Sequence, residues 1–341
     1  MAARSPSGSG DNLPPCPAAG ARLTSMARLA ALIVLLIPSC VHSQPNTQLD
    51  ELSRTSSPYD LARYIDSHTG FEWESLWRAM GITDPPSMQP CEPPGNSCTV
   101  HLFTEFQPTQ VILVVENWPF SAYLRFRADG TAWRYAGAFE AYHKNYPPRH
   151  EITRMNDKTF LRISNQGASG SDIDSEVESW LDLSLPGFRP VFGFTVQGRE
   201  NRFGFGVSRR VHANARPGFA EETIELDLEV HYSMYEDRDL GFARYTGIYG
   251  RATNRERFSL QAVRAGAETI TQQDFEELAN ISGADSPQPS NEKLLTYTLP
   301  SLKEIAIGPD DEARGWLKSI LEFCNDSAEK RELQALLSRK Q

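Results

Sequence analysis

Four carboxylates occupy alternate positions beside the glycine- and serine-rich residues 167–171. They are Asp172, Asp174, Glu176 and Glu178. Oxygen ligands at alternate positions are typical of calcium-binding loops, so the spacing raises the hypothesis of a bound calcium ion. A loop of the EF-hand type also needs glycine at its sixth position and glutamate at its twelfth. This chain has Val177 and Leu183 at those positions, so the match to that loop fails.

The spacing of these acids is equally typical of a half-buried strand. An apolar set of residues, offset by one position from the acids, would share the opposite face. These residues are Ile173, Val177, Leu181 and Leu183. We favour the strand, with the acids on its solvated face, because this interpretation accounts for more residues. Calcium stays an alternative because the four like charges have no basic residue beside them in the sequence.

Two further motifs begin like catalytic sites and then depart from them. Residues 150–154 start like the zinc-protease sequence HExxH, but Arg154 stands where the second histidine ligand is needed. Residues 167–171 start like the nucleophile elbow GxSxG, but Ser171 replaces the last glycine and no helical pattern follows. The sequence therefore contains no complete catalytic motif of these kinds.

A pair of carboxylates in a cleft is the simplest catalytic site that this sequence could still hold. Glycoside hydrolysis needs only two placed acids. The candidates are Glu116, Glu140, Asp172, Asp174 and Glu178. Because a sequence does not give the separation between two carboxyl groups, an extracytoplasmic hydrolase is retained as the alternative to the function favoured below.

Residues 116–150 form an aromatic-rich region in which arginine and lysine side chains are interleaved. Exposed aromatic rings on a β scaffold can bind sugar rings or peptide strands. The candidate binding residues are Trp118, Tyr123, Trp133 and Tyr135. A role in the hydrophobic core would explain the same aromatics, and this alternative stays open.

Short alternating segments separated by turn residues dominate residues 99–266. About ten to twelve such segments occur, at a spacing typical of an antiparallel sandwich or barrel. Residues 44–98 read as a linker with short helices, and residues 267–341 return to helical periodicity. We therefore predict an α+β fold that is mainly antiparallel β. Short helices precede the β domain, and a C-terminal helical segment packs on or beside it.

The segment 222–235 shows how charge is distributed in the predicted β domain. Its even-numbered residues from Ile224 to Tyr232 are apolar, and its odd-numbered residues are mostly acidic. The preceding segment places Arg210 and His212 together on one face. If the two segments pair as a hairpin, arginines lie opposite carboxylates, and this pairing would account for the charges.

The N-terminal residues indicate export. Residues 1–25 are rich in Gly, Pro, Ser and Ala, and we expect them to be disordered or to precede the true start at Met26. Residues 26–43 have a basic start and a nine-residue apolar run, which is typical of a signal peptide and too short to cross a bilayer. We favour cleavage before Gln44. Lipidation of Cys40, within the lipobox-like sequence IPSC, is the alternative.

The cysteines agree with export. Cys91 and Cys98 bracket a proline- and glycine-rich loop, and in an oxidising compartment such a pair is expected to form a disulfide. Free thiols are the main alternative. Zinc binding is a poorer one because it needs two further ligands. Cys324 lies in a helical pattern, and we expect it to be buried.

The composition is that of a soluble globular protein, with 40% hydrophobic and 23% charged residues. The net charge is −10, and removal of residues 1–43, which hold three arginines and one aspartate, would make it −12. An acidic chain without a lysine or arginine run disfavours nucleic acid as a partner. We therefore predict an exported binding or scaffold protein of the cell envelope or extracellular space, with no membrane span after cleavage. Its expected partner is a glycan, a peptide or an envelope protein.

Overall fold

The computed structural model describes most of the chain from residue 57 onward. The described residues are 52–53, 57–89, 91, 98–104, 109–145, 147–170, 172–201, 206–218, 220, 222–234, 238–252, 255–265, 270–281 and 291–339. The predicted leader (1–25) and the predicted signal peptide (26–43), with the candidate lipidation site Cys40, lie outside these residues.

The described residues form twelve antiparallel strands in two sheets. The first sheet contains β1 (Thr99–Phe103), β2 (Gln110–Asn117), β3 (Phe120–Asp129) and β4 (Ala132–Tyr142). The second contains β5 (Arg149–Met155), β6 (Lys158–Ser169), β7 (Ile173–Asp182), β8 (Pro190–Glu200), β9 (Val207–Pro217), β10 (Thr223–Met234), β11 (Arg238–Gly250) and β12 (Ser259–Ala265). In both sheets each strand pairs with the next one along the chain, so both are meanders. The predicted fold class is confirmed.

Six helices among the described residues flank the sheets. They are α1 (Pro58–Ser67), α2 (Trp73–Ala79), α3 (Gln272–Ala279), α4 (Asn291–Ile307), α5 (Asp311–Phe323) and α6 (Ala328–Ser338). Side-chain oxygens cap four of the helix starts, where backbone N–H groups lack helical partners. The capping residues are Ser57, Thr271, Asp310 and Ser327. No helix in the described residues has both the length and the apolar character needed to cross a membrane.

Three apolar clusters hold these layers together. Helices α1 and α2 pack on one face of the first sheet, where Trp77 and Leu113 belong to the same buried cluster. The other face of the first sheet packs on the start of the second sheet, through residues such as Tyr123 and Leu181. The C-terminal helices cover the second sheet in the largest cluster, which includes Leu317. The first sheet therefore covers the start of the second sheet, and the C-terminal helices pack on its later strands.

Arg125 links the two sheets although it is fully buried. From β3 its guanidinium donates to the side-chain oxygen of Gln110 and to the carbonyls of Leu183, Leu185 and Gly187, which follow β7. Burial lowers the pKa of Arg125 to about 10, and the neighbouring positive charge of Arg127 adds to this effect. The side chain is therefore charged at neutral pH, and its hydrogen bonds hold the β7–β8 connection against the first sheet.

Cys91 and Cys98 lie at disulfide distance, with their Cα atoms 5.4 Å apart, as the loop between them predicted. The side-chain amide of Asn117 at the end of β2 approaches the sulfur of Cys98 at 3.3 Å. This pair therefore fixes the chain that enters the first sheet. Cys324 is buried, as its position in the helical pattern predicted.

Replacing Cys91 and Cys98 together with serine is expected to lower the free energy of unfolding by about 2.5 kcal/mol, the loop-closure entropy for a loop of this length. Urea unfolding of the oxidised wild type and the double variant measures the difference. Reductant should lower the stability of the wild type by the same amount and leave the double variant unchanged. A loss below about 1 kcal/mol would contradict a constraining role for this bond.

Candidate functional site

The four alternate acids lie on β7 and just before it, as the strand interpretation predicted, but they differ in burial. Asp172 and Asp174 are exposed. Glu176 and Glu178 are only 4% and 7% exposed, so the prediction that all four line a solvated face is wrong for these two. The acids therefore do not form one uniform wet surface.

Arginines on β5 and β6 form ion pairs with the two buried glutamates of β7. Glu176 accepts hydrogen bonds from Arg149 on β5 and, at 2.9 Å, from the side-chain amide of Gln197. Glu178 accepts two bonds from Arg162 on β6, at 3.0 and 3.1 Å, and one from the indole of Trp180. The basic partners that the local sequence lacks thus come from other strands.

The acids of β7 are not gathered into a ligand set for calcium. Across the described part of the chain, no group of three or more His, Cys, Asp or Glu side chains is placed to hold a metal ion. The carboxylates of Glu176 and Glu178 are already occupied by charge-assisted hydrogen bonds, which a cation would have to displace.

The four candidate aromatics do not share one surface. Tyr123 is buried between the two sheets, and burial raises its pKa. Trp133 and Tyr135 are half-buried on the opposite face of the first sheet, where burial and the carboxylates of nearby acids raise the pKa of Tyr135 to about 12. Trp118 is 60% exposed at the β2–β3 turn. Core packing thus explains Tyr123, and only Trp118 offers a largely open ring.

Three of the five candidate acids of the hydrolase alternative lie in separate places, and the other two, Asp172 and Asp174, are exposed together at the start of β7. Pairing of Glu116 with Ser121, and of Glu140 with Ala122, puts the two glutamates on opposite faces of the first sheet. Glu178 is held by Arg162 in the second sheet. Among Glu116, Glu140 and Glu178, no two carboxylates face the same cleft.

A serine–histidine pair is present but enclosed. The hydroxyl of Ser121 lies 3.1 Å from Nε2 of His143, a distance suited to a nucleophile and its base. Ser121 is fully buried and His143 is 8% exposed. Because a substrate has no access to the serine oxygen, the contact serves packing between β3 and the end of β4.

The second sheet carries a concave site of about 510 Å³ on β7 to β11. We call this site the outer-face cavity, because it lies on the face away from the C-terminal helices. Strand register builds it from two adjacent rows of side chains that cross five strands. The first row is Asp174, Arg199, Arg210, His231 and Phe242. The second row is Glu176, Gln197, His212 and Glu229, and Arg244 continues this row on β11 beyond the cavity lining.

Alternation along each strand explains why these polar residues share a face. On β9 and β10 the intervening residues Val211 and Val230 are buried against the helical layer. On β8 the intervening residue is Gly198, where a Cβ atom would lie 2.7 Å from Ile281. A glycine there lets the chain after α3 approach the sheet closely, and the polar rows are left on the other side.

The hairpin of β9 and β10 is confirmed, but its register does not give Arg210 a carboxylate partner. Arg216 does face Glu225, and their side chains are 2.9 Å apart. Arg210 lies between His231 on β10 and Arg199 on β8. The expectation that carboxylates account for the arginines of this face is therefore wrong for Arg210.

Most other charged groups of the cavity have partners within the protein. Glu229 pairs with Arg244 at 2.7 Å, and His231 lies 3.1 Å from Asp239. The guanidinium of Arg244 also stacks on Phe242, with 4.9 Å between its carbon and the ring centre. Among the described residues, none makes a hydrogen bond or ion pair with the side chain of Arg210, which is exposed. The centre of the first row therefore carries an unneutralised positive charge.

Sequence reasoning missed most of this cavity. Of its residues, the candidate set included Asp174 and Glu176 for their spacing alone. The alternation of Gln197 with Arg199, and of Arg210 with His212, was the available signal of an outward polar face. It did not show which strands would lie side by side.

Comparison of the chain with protein-family models, with curated proteins and with solved structures gave no match.

Proposed function

We propose that this chain is an exported binding or scaffold protein whose ligand-binding site is the outer-face cavity. The observation that carries the proposal is an exposed, unneutralised Arg210 at the centre of a concave site. The volume of about 510 Å³ lies within the range of small-molecule sites. Polar groups that converge in a concavity are the groups that orient a bound ligand.

Two features support export to the cell envelope or the extracellular space. Residues 26–43 have the composition of a signal peptide. Cys91 and Cys98 lie at disulfide distance, and disulfides persist in oxidising compartments.

Expression of the full chain in a bacterial host, followed by fractionation and N-terminal sequencing, should give an exported product that begins at Gln44. A cytosolic product that keeps residues 1–43 would contradict export.

The hydrolase alternative has less support. It needs two acids in one accessible cleft, about 5–10 Å apart. Glu116 and Glu140 project from opposite faces of the first sheet, and Arg162 occupies the carboxylate of Glu178. A binding function needs only the concave surface itself, so we favour it.

A thermal-shift screen of the purified chain against neutral glycans, acidic glycans and short peptides tests for a ligand. Phe242→Ala should weaken the binding of any hit by about tenfold, or 1.4 kcal/mol, because Phe242 lines the cavity. Trp118→Ala is the matched control, since it removes a similarly exposed aromatic ring from the first sheet. Loss of binding in Trp118→Ala with normal binding in Phe242→Ala would place the site in the aromatic region and overturn the proposal.

A further inference from the structure

We infer that the outer-face cavity recognises an anionic sugar, with the acidic group of the sugar bound between Arg199 and Arg210. This inference rests on the proposed binding function and names the class of ligand. It depends on the charges of the first row, the hydrogen-bonding groups of the second row and the position of the cavity within the sheet.

The first row places two arginines side by side at its centre. Arg210 lies directly opposite Arg199 on one side and His231 on the other. Arg199 also lies opposite Asp174 and donates from Nε to the side-chain oxygen of Asn201 at 3.0 Å. Arg210 has no carboxylate opposite it, and like charges directly opposite one another in a sheet are destabilising. An anion between the two guanidinium groups would remove the repulsion. Carboxylate and phosphate groups match the fork of an arginine side chain.

The second row supplies groups that suit the hydroxyls of a sugar. Gln197, His212 and Glu229 line the cavity beside the two arginines. Together they offer amide, imidazole and carboxylate groups, which donate and accept hydrogen bonds. Phe242 ends the first row and is 50% exposed, so it provides one apolar ring face. An apolar ligand would cover the polar groups of the second row and the exposed guanidinium of Arg210 without offering them any hydrogen bond, at a cost in affinity.

The place of the cavity in the sheet disfavours an extended peptide. Peptides that bind by strand addition pair with an exposed sheet edge. The second sheet has β5 and β12 as its outer strands, whereas Arg199, Arg210 and His231 lie on β8, β9 and β10 in its interior. A ligand must therefore be held by side chains alone, as a sugar is.

The length of the rows favours an oligosaccharide over a single sugar. Each row crosses five strands, and neighbouring strands are about 4.8 Å apart, so a row is about 19 Å long. This length exceeds that of one six-membered ring, so two or more units can lie across the strands.

Isothermal titration of the full chain with trigalacturonate, maltotriose, a glucose phosphate and triglutamate tests this inference. Trigalacturonate or the glucose phosphate should bind at least about tenfold more tightly than neutral maltotriose, and the tighter of the two identifies the acidic group. Arg210→Gln should remove this preference, and Arg210→Lys should restore part of it. Arg154→Gln, an exposed arginine on β5, is the matched control and should bind like the wild type.

The outcomes separate this inference from the proposed function. If neither trigalacturonate nor the glucose phosphate binds more tightly than maltotriose, or if the Arg210→Gln variant keeps the preference, the anionic-sugar inference is overturned and a binding protein remains. Preference for triglutamate would assign an acidic peptide instead and overturn the inference too. Failure of every compound in the wider thermal-shift screen would overturn both the inference and the proposed function.

Discussion

Arg125→Met is expected to lower the free energy of unfolding by about 3–5 kcal/mol, because it removes several buried, charge-assisted hydrogen bonds between the two sheets at once. The acceptors are the side-chain oxygen of Gln110 and the carbonyls of Leu183, Leu185 and Gly187. Leu183 and Leu185 also accept from Arg127, which the variant keeps. Methionine preserves much of the side-chain volume. The loss therefore reports the hydrogen bonds between the two sheets rather than a cavity.

Urea unfolding of the purified variant measures this loss. Arg134→Met is the matched control, because Arg134 lies on β4 with an exposed side chain paired to Asp129. An exposed pair of this kind contributes about 0.2–1 kcal/mol, so the control should unfold near the wild type. If Arg125→Met loses no more than Arg134→Met, the buried arginine does not hold the sheets together.

Asp182→Asn is expected to destabilise the protein by about 3–5 kcal/mol, because it removes the closer counter-charge of a buried arginine and leaves Arg251 only Glu222, at 4.0 Å. The side chains of Asp182 and Arg251 are 0% and 4% exposed, and the guanidinium also stacks on Phe258 at 5.0 Å. The pair joins the end of β7 to the residue after β11. Loss of this pair removes one link between two strands that are not neighbours in the second sheet.

A double-mutant cycle separates the missing counter-charge from other effects of Asp182→Asn. Asp182→Asn combined with Arg251→Met should cost less than the sum of the two single changes, because no unpaired buried charge remains. Asp129→Asn, at an exposed pair in the first sheet, serves as the control and should have little effect. Strict additivity of Asp182→Asn and Arg251→Met would contradict a stabilising pair.

Strand and helix positions could be predicted from the sequence because their signals are local. Period-two alternation from Ile224 to Tyr232 marks β10, and the structure buries these even-numbered residues. Similarly, Ser327 precedes a helical stripe and caps α6. A local pattern is enough wherever the next strand along the chain is also the neighbour in the sheet.

The burial of Glu176 and Glu178 could not be predicted in the same way. Their arginine partners lie 27 and 16 residues away, on β5 and β6. Alternation alone assigns both glutamates to a polar face, but it does not show whether water or arginine covers that face. Arg125 is a similar case, because its carbonyl acceptors lie about 60 residues further along the chain.

The outer-face cavity is formed by the register of five strands, and local sequence patterns do not predict this register. The sequence pattern predicted a carboxylate opposite Arg210. In the observed register, His231 lies opposite Arg210. A shift of one residue between strands would move every side chain to the other face, so small differences in register decide what a cavity contains.

The central claim is that the ligand of this protein binds at the outer-face cavity, and imidazole NMR tests it most directly. Titration of the full chain with trigalacturonate should shift the ring signals of His212 and His231, which line the cavity. The ring signals of His68 and His143, which lie away from it, should stay in place. Shifts confined to His143, near the aromatic region, or saturable binding without any shift at His212 and His231, would contradict the claim.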